Sequence, residues 1–195
     1  MLASQNKKKR NRSKNIKKLF ESLPEEIRNY FSEVPRLLSG NFDKSVILAY
    51  VFFMIEKGQV ELLCMGARKF HKTDIKMTRS VIYNFHIKRD EFPIFFKRIF
   101  DIELPMSISN KIKKAEKVRD SIMHGCDSTK LIGLKSQSIA DALEYAKELN
   151  ELFISKKIGI LPYDKNPGYA GRGESHEKKT TQWILKGMGF ISNKK

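Results

Sequence analysis

Arg119 and His124 are the two residues of this chain whose types and spacing suit chemistry on a phosphodiester. A neutral imidazole can take the proton of a ribose 2′-hydroxyl, so that the alkoxide attacks the adjacent phosphorus. A guanidinium fork can then neutralise the charge that gathers on the phosphorane-like transition state. That scheme needs no metal, and histidine suits it because imidazole titrates near neutrality. Both residues lie in residues 111–125, KIKKAEKVRDSIMHG. Asp120, beside the arginine, can orient either of them or serve as an ion-pair partner on a helix.

The surrounding pattern dictates how these side chains are presented. Ile108, Ile112, Ala115, Val118 and Ile122 recur at helical spacing, Lys113, Lys114 and Lys117 carry the polar side, and Gly125 stands where a helix takes a left-handed cap. At about 100° per residue, Arg119 projects into the sector of Ile108 and Ile112. A charge buried there without a partner costs several kcal/mol, on the order found for broken buried pairs, so Arg119 must meet a carboxylate, a phosphate or another subunit. On an ideal helix Arg119 and His124 diverge by about 140°. They serve one site only if the helix ends near Met123 or if a second subunit completes the cleft. Without such a site, the same residues read as a histidine favoured by the helix dipole and an arginine in a structural ion pair.

The run Arg119-Asp120-Ser121-Ile122-Met123-His124-Gly125 resembles the motif of HEPN-domain ribonucleases: arginine, a polar residue, a short spacer, then histidine, often followed by glycine. The bare spacing recurs at Arg79 and His86, but without the acidic neighbour and the glycine stop. The resemblance implies an all-α bundle and a metal-independent endoribonuclease, acting as a toxin or anti-phage effector in the cytoplasm. It implies Arg119 and His124 as catalytic residues, Asp120 assisting, and a homodimer that brings two motifs together. Lys113 and Lys117 would then line the RNA path. An antitoxin or regulatory protein is a further expected partner. Cys126 stands where some family toxins carry a tyrosine that a nucleotidyltransferase antitoxin modifies, so that mode of control is not expected.

Composition narrows the alternatives. With 38 Lys+Arg against 22 Asp+Glu, the 195 residues carry a formal net charge of +16, which favours a polyanionic partner such as RNA through counterion release. The histidines His71, His86, His124 and His176 match no familiar metal spacing, so neither a metal nor a cofactor is expected. Lys186-Gly187-Met188-Gly189 lacks the phosphate-loop pattern, and no serine sits in a nucleophile elbow. The two cysteines, Cys64 and Cys126, make no disulfide framework and fit a reducing interior. The longest apolar run, residues 46–55, is too short to cross a bilayer, and no secretory signal is apparent.

Taken in order, residues 1–18 read as a basic arm, 19–157 as a bundle of about five helices, and 158–195 as a Gly/Pro-rich loop with a C-terminal helix. Pro24, Glu25 and Glu26 start a helix that Pro35 ends or bends. Asp43 caps a long helix to about His71, with Val46, Tyr50, Phe53, Val60 and Leu63 inward. Thr73-Asp74 caps the next, and Asp90 caps a short helix whose Phe92, Phe95, Phe96, Ile99 and Phe100 read as packing. Residues 127–129 read as a loop, followed by an amphipathic helix from Ser138 to about Lys157. From Ile158 on, Gly159, Pro162, Pro167, Gly168, Gly171 and Gly173 punctuate a loop too irregular to be core. Residues 174–186 form a last helix, with Trp183, Ile184, Met188 and Phe190 making a sticky side that docks on the bundle or binds a partner. The competing function is therefore a non-catalytic RNA-binding or protein-interaction module working through the basic arm and the Trp183 helix.

Overall fold

Helix boundaries in this chain follow its prolines, glycines and capping carboxylates. A computed structural model describes residues 15–40, 42–88, 90–125, 128–165 and 173–191, with the side chains of 128–132 left aside. Nine helices and no strand are found among the described residues: α1 (15–22), α2 (Glu25–Tyr30), α3 (Val34–Ser39), α4 (Lys44–His71), α5 (Ile75–Asn84), α6 (Phe92–Phe100), α7 (Met106–Met123), α8 (Ser128–Ser155) and α9 (Lys178–Met188). The all-α class expected from the pattern is therefore what the chain adopts, and no described helix is long and apolar enough to cross a membrane.

Several boundaries differ from the sequence reading, each for a local reason. Pro35 does not end a helix but opens α3, where the first turn has no use for its missing N–H. Residues 15–18, assigned to the basic arm, are helical, because Ile16 and Phe20 give that turn a buried side; residues 1–14 lie outside the described residues. Glu91, not Asp90, precedes α6, and its carboxylate accepts the Lys88 N–H at 2.9 Å. Ser128 and Thr129 belong to α8 rather than to a loop.

The described residues form two compact units: 15–55, 107–125, 128–152 and 163–165 in the first, and 56–106, 153–162 and 173–191 in the second. In the first, α4 buries Ile47, Leu48, Val51, Phe52 and Ile55, while Val46 and Phe53 are exposed. Of the residues expected inward, Val46 and Phe53 are thus on the outside and Tyr50 and Val60 are half-buried, whereas Leu63, farther along α4, is buried as expected. From α8, Ile139, Leu143, Tyr145, Ala146 and Leu149 complete this core. So does Tyr163, which corrects the expectation that the loop from Ile158 is too irregular to be core. Its ring lies fully buried 5.5 Å from Tyr30 and 6.2 Å from Tyr145, and Asn150 of α8 brackets its backbone, accepting from the N–H at 2.9 Å and donating to the carbonyl at 3.3 Å. A side chain that satisfies an irregular segment's peptide groups lets that segment enter a core.

In the second unit the α6 phenylalanines are buried as expected. Phe95 stacks on Phe190 at 4.4 Å, and Phe85 meets both rings edge-on. Gly66 of α4 makes room for Ile99 and Phe100, with which a Cβ would collide. Helix α9 docks through Thr181, Leu185 and Met188, and the Thr181 hydroxyl accepts the Asp74 N–H at 2.9 Å. Trp183 is not on that docking side; it is 64% exposed. Cys64 is buried, and burial pushes its thiol up to about 12, which leaves it unreactive at neutral pH.

The Asp43 carboxylate accepts the Ser45 N–H at 2.7 Å at the start of α4 and pairs with the buried Lys135 of α8 at 3.2 Å. The Ser45 side chain and N–H, then Lys135, lower this carboxyl to about 2. A depressed carboxyl stabilises the fold fully above its ordinary pKa and loses that contribution as pH falls through the folded value. Asp43 is largely exposed, so solvent screening cuts the effect to about 1 kcal/mol. Asp43→Ala is expected to lower stability by that amount in urea denaturation at pH 7, with the deficit shrinking between pH 4 and pH 2. A deficit that stays constant to pH 2 would refute the assignment.

Candidate active site

Burial along α7 falls from one end to the other. Ile108, Ile112 and Ala115 are buried, Val118, Arg119 and Ile122 are half-buried, and Met123, His124 and Gly125 are exposed. The buried end is also tied by charge: the Lys111 ammonium bonds to Glu148 and, at 3.1 Å, to Glu144 of α8. Glu148 first, and Glu144 with it, hold that ammonium above its ordinary pKa. The anchored half fixes the helix axis, and the last turn is left facing water.

Arg119 has the partner that its place on the apolar side requires. Its guanidinium lies 4.7 Å from the centre of the Phe52 ring, and its Nε is 3.4 Å from Asp120 Oδ1, at the outer limit of a hydrogen bond. The side chain is 17% exposed and that of Asp120 31%. Asp120 therefore pairs with the arginine, and a ring below plus a carboxylate alongside restrict where the guanidinium can point. Lys113 and Lys117 are exposed on the polar side.

The end of α7 is built as the sequence suggests. The His124 N–H still donates to Asp120 O at 2.9 Å, the Gly125 N–H donates to Ile122 O at 3.1 Å, and Gly125 takes φ +77°. His124 is thus the last residue held by helical bonding, and the chain turns away at Gly125. Arg119, Asp120 and Phe52 are brought together directly. α7 ends at Met123, which meets one of the two conditions under which Arg119 and His124 can serve one site, and His124 stands exposed just past that end.

Phe52 is the residue the sequence reading misses. The signal was present in the recurrence of 47, 48, 51, 52 and 55, but an α4 that is apolar nearly all round conceals which stripe faces inward. The second Arg/His spacing is distinguished by environment: Arg79 on α5 and His86 beyond its end are both exposed. Cys126 lies outside the described residues. Among the described residues no group of His, Cys, Asp and Glu could hold a metal ion. Comparison with family models, curated proteins and solved structures yields no match.

A Cβ on Gly125 would touch nothing within 4 Å, so a substitution there costs only backbone strain. Gly125→Ala is expected to lower stability by about 1–2 kcal/mol, and Gly125→Asn by less, since asparagine tolerates the left-handed region. Chemical denaturation of the two variants checks this; equal stability of wild type and Gly125→Ala would mean that the turn is not left-handed.

Proposed function

We propose that this protein is a metal-independent endoribonuclease of HEPN type, a toxin or anti-phage effector, that works as a homodimer. The reading is carried by the end of α7: a guanidinium held between a ring and a carboxylate, followed by an exposed imidazole at a glycine-terminated helix end. Restricting the arginine in advance reduces what it must lose in meeting a phosphate. Exposing the imidazole leaves it open to a ribose hydroxyl. The all-helical fold and the RDSIMHG motif agree with the resemblance.

In the proposed reaction His124 accepts the 2′-hydroxyl proton and the 2′-oxygen bonds to phosphorus. The P–O5′ bond breaks and the 5′-oxygen takes a proton from water, leaving 2′,3′-cyclic phosphate and 5′-hydroxyl ends, and the His124 imidazolium returns its proton to solvent. Arg119 stabilises the non-bridging oxygens, Asp120 positions Arg119, and Lys113 and Lys117 attract the strand. In the proposed dimer a second copy completes the cleft. The last turn of α7 offers it an apolar surface, with Met123 71% exposed and Val118 and Ile122 half-buried. Such an activity calls for restraint in its host by an antitoxin or regulatory protein.

Purified protein incubated with tRNA and total RNA in EDTA tests this. Cleavage is expected to survive chelation, to yield cyclic phosphate ends, and to fall by about 100-fold or more in His124→Ala and in Arg119→Ala. Arg119→Lys, which keeps the charge and loses the fork, should recover little. Cleavage retained in both alanine variants would overturn the proposal.

A further inference from the structure

Helix α9 has two faces with separate uses. Thr181, Leu185 and Met188 are buried, whereas Lys179, Gln182, Trp183, Lys186 and Gly187 are exposed at spacings that make one helical stripe. Trp183 is left 64% exposed, and the Lys179 ammonium lies 5.5 Å from the ring centre. The residues of α9, KKTTQWILKGM, include no acid. Glu174 and Glu177 precede the helix, and Glu177 accepts from the Thr180 hydroxyl at 3.4 Å.

A docking face for an apolar protein surface would present more than one large apolar side chain, and Trp183 is the one exposed large apolar residue of α9. One indole flanked by ammonium groups matches an unpaired base flanked by phosphates. Lys179 and Lys186 stand about 10 Å apart along the axis, with the indole between them. We propose that this outer face binds single-stranded RNA, with Trp183 stacking on a base and Lys179 and Lys186 meeting phosphates on either side. The surface needs neither Arg119 nor His124. The choice of RNA over DNA rests on the activity proposed above, whereas the stacking and charge arguments do not.

Trp183 is the single tryptophan of the chain, so its emission reports the contact directly. The 195-residue protein is titrated in EDTA with a 2′-O-methyl decauridylate, which cannot be cleaved by 2′-oxygen attack. Emission should be quenched to saturation. Trp183→Ala should weaken binding about 10-fold, read with a labelled oligomer, and Trp183→Phe should retain most of it. Lys179→Gln and Lys186→Gln should each reduce the salt slope by about 0.7. These side chains are exposed, and the folding of each variant is to be checked by thermal melting. Unchanged affinity in Trp183→Ala, or equal quenching by heparin, which has no bases, overturns the stacking contact. A doubling of mass without RNA that Trp183→Ala abolishes, with no effect on RNA affinity, assigns the face to a second copy instead. Tighter binding of the deoxy oligomer overturns the choice of RNA. Loss of cleavage in His124→Ala bears on none of these outcomes.

Discussion

Removing a cation from water without giving it an oxygen or a ring to meet costs several kcal/mol, and a chain with 38 basic and 22 acidic residues meets that constraint repeatedly. In the first unit the solution is mostly carboxylate: Lys135 meets Asp43, Lys111 meets Glu144 and Glu148, and Arg119 meets Asp120 together with Phe52. In the second unit it is the backbone. Arg68 donates to the carbonyls of Thr73 and Gly173, and Lys69 to those of Ile158 and Gly159. Arg98, though exposed, donates to Met188 O at the end of α9, where the helix dipole favours a donor. Carbonyls stand in for the acids that the composition lacks.

The same constraint explains why the candidate site lies where it does. Arg119 is a cation on the apolar side of an amphipathic helix, tolerated because a ring and a carboxylate flank it and because α7 has begun to leave the core at that point. One turn earlier, at Ala115, the position is fully buried; at Met123 it is in water. A functional arginine needs the intermediate depth, desolvated enough to be fixed in place and exposed enough to meet a phosphate.

What could be read from the sequence follows from which signals were local. The α7 pattern, the glycine stop, the Asp74 cap and the phenylalanine face of α6 depend on neighbours within a turn or two, and the structure has all of them. The inward stripe of α4 depended on which neighbours pack against a helix apolar on most sides, and in its first half it fell on residues 47, 48, 51, 52 and 55 instead of 46, 50 and 53, although Leu63 is buried as expected. Phe52 was missed for that reason. Tyr163 was hidden by glycines and prolines around it, because nothing local announces that Asn150 will satisfy its backbone. For α9, docking and exposure of the tryptophan looked like competing uses of one side, and they are two faces.

The central proposal is a homodimer whose working site joins the arginine of one copy to the histidine of another. Mixing Arg119→Ala with His124→Ala protein, each inactive alone, tests this most directly. In a mixed dimer one of the two composite sites is intact, and half of the dimers formed at random are mixed, so recovery of up to about a quarter of wild-type cleavage is predicted. A mixture that cleaves no faster than its inactive components, while sedimentation shows mixed dimers of about twice 22.6 kDa, would contradict the account.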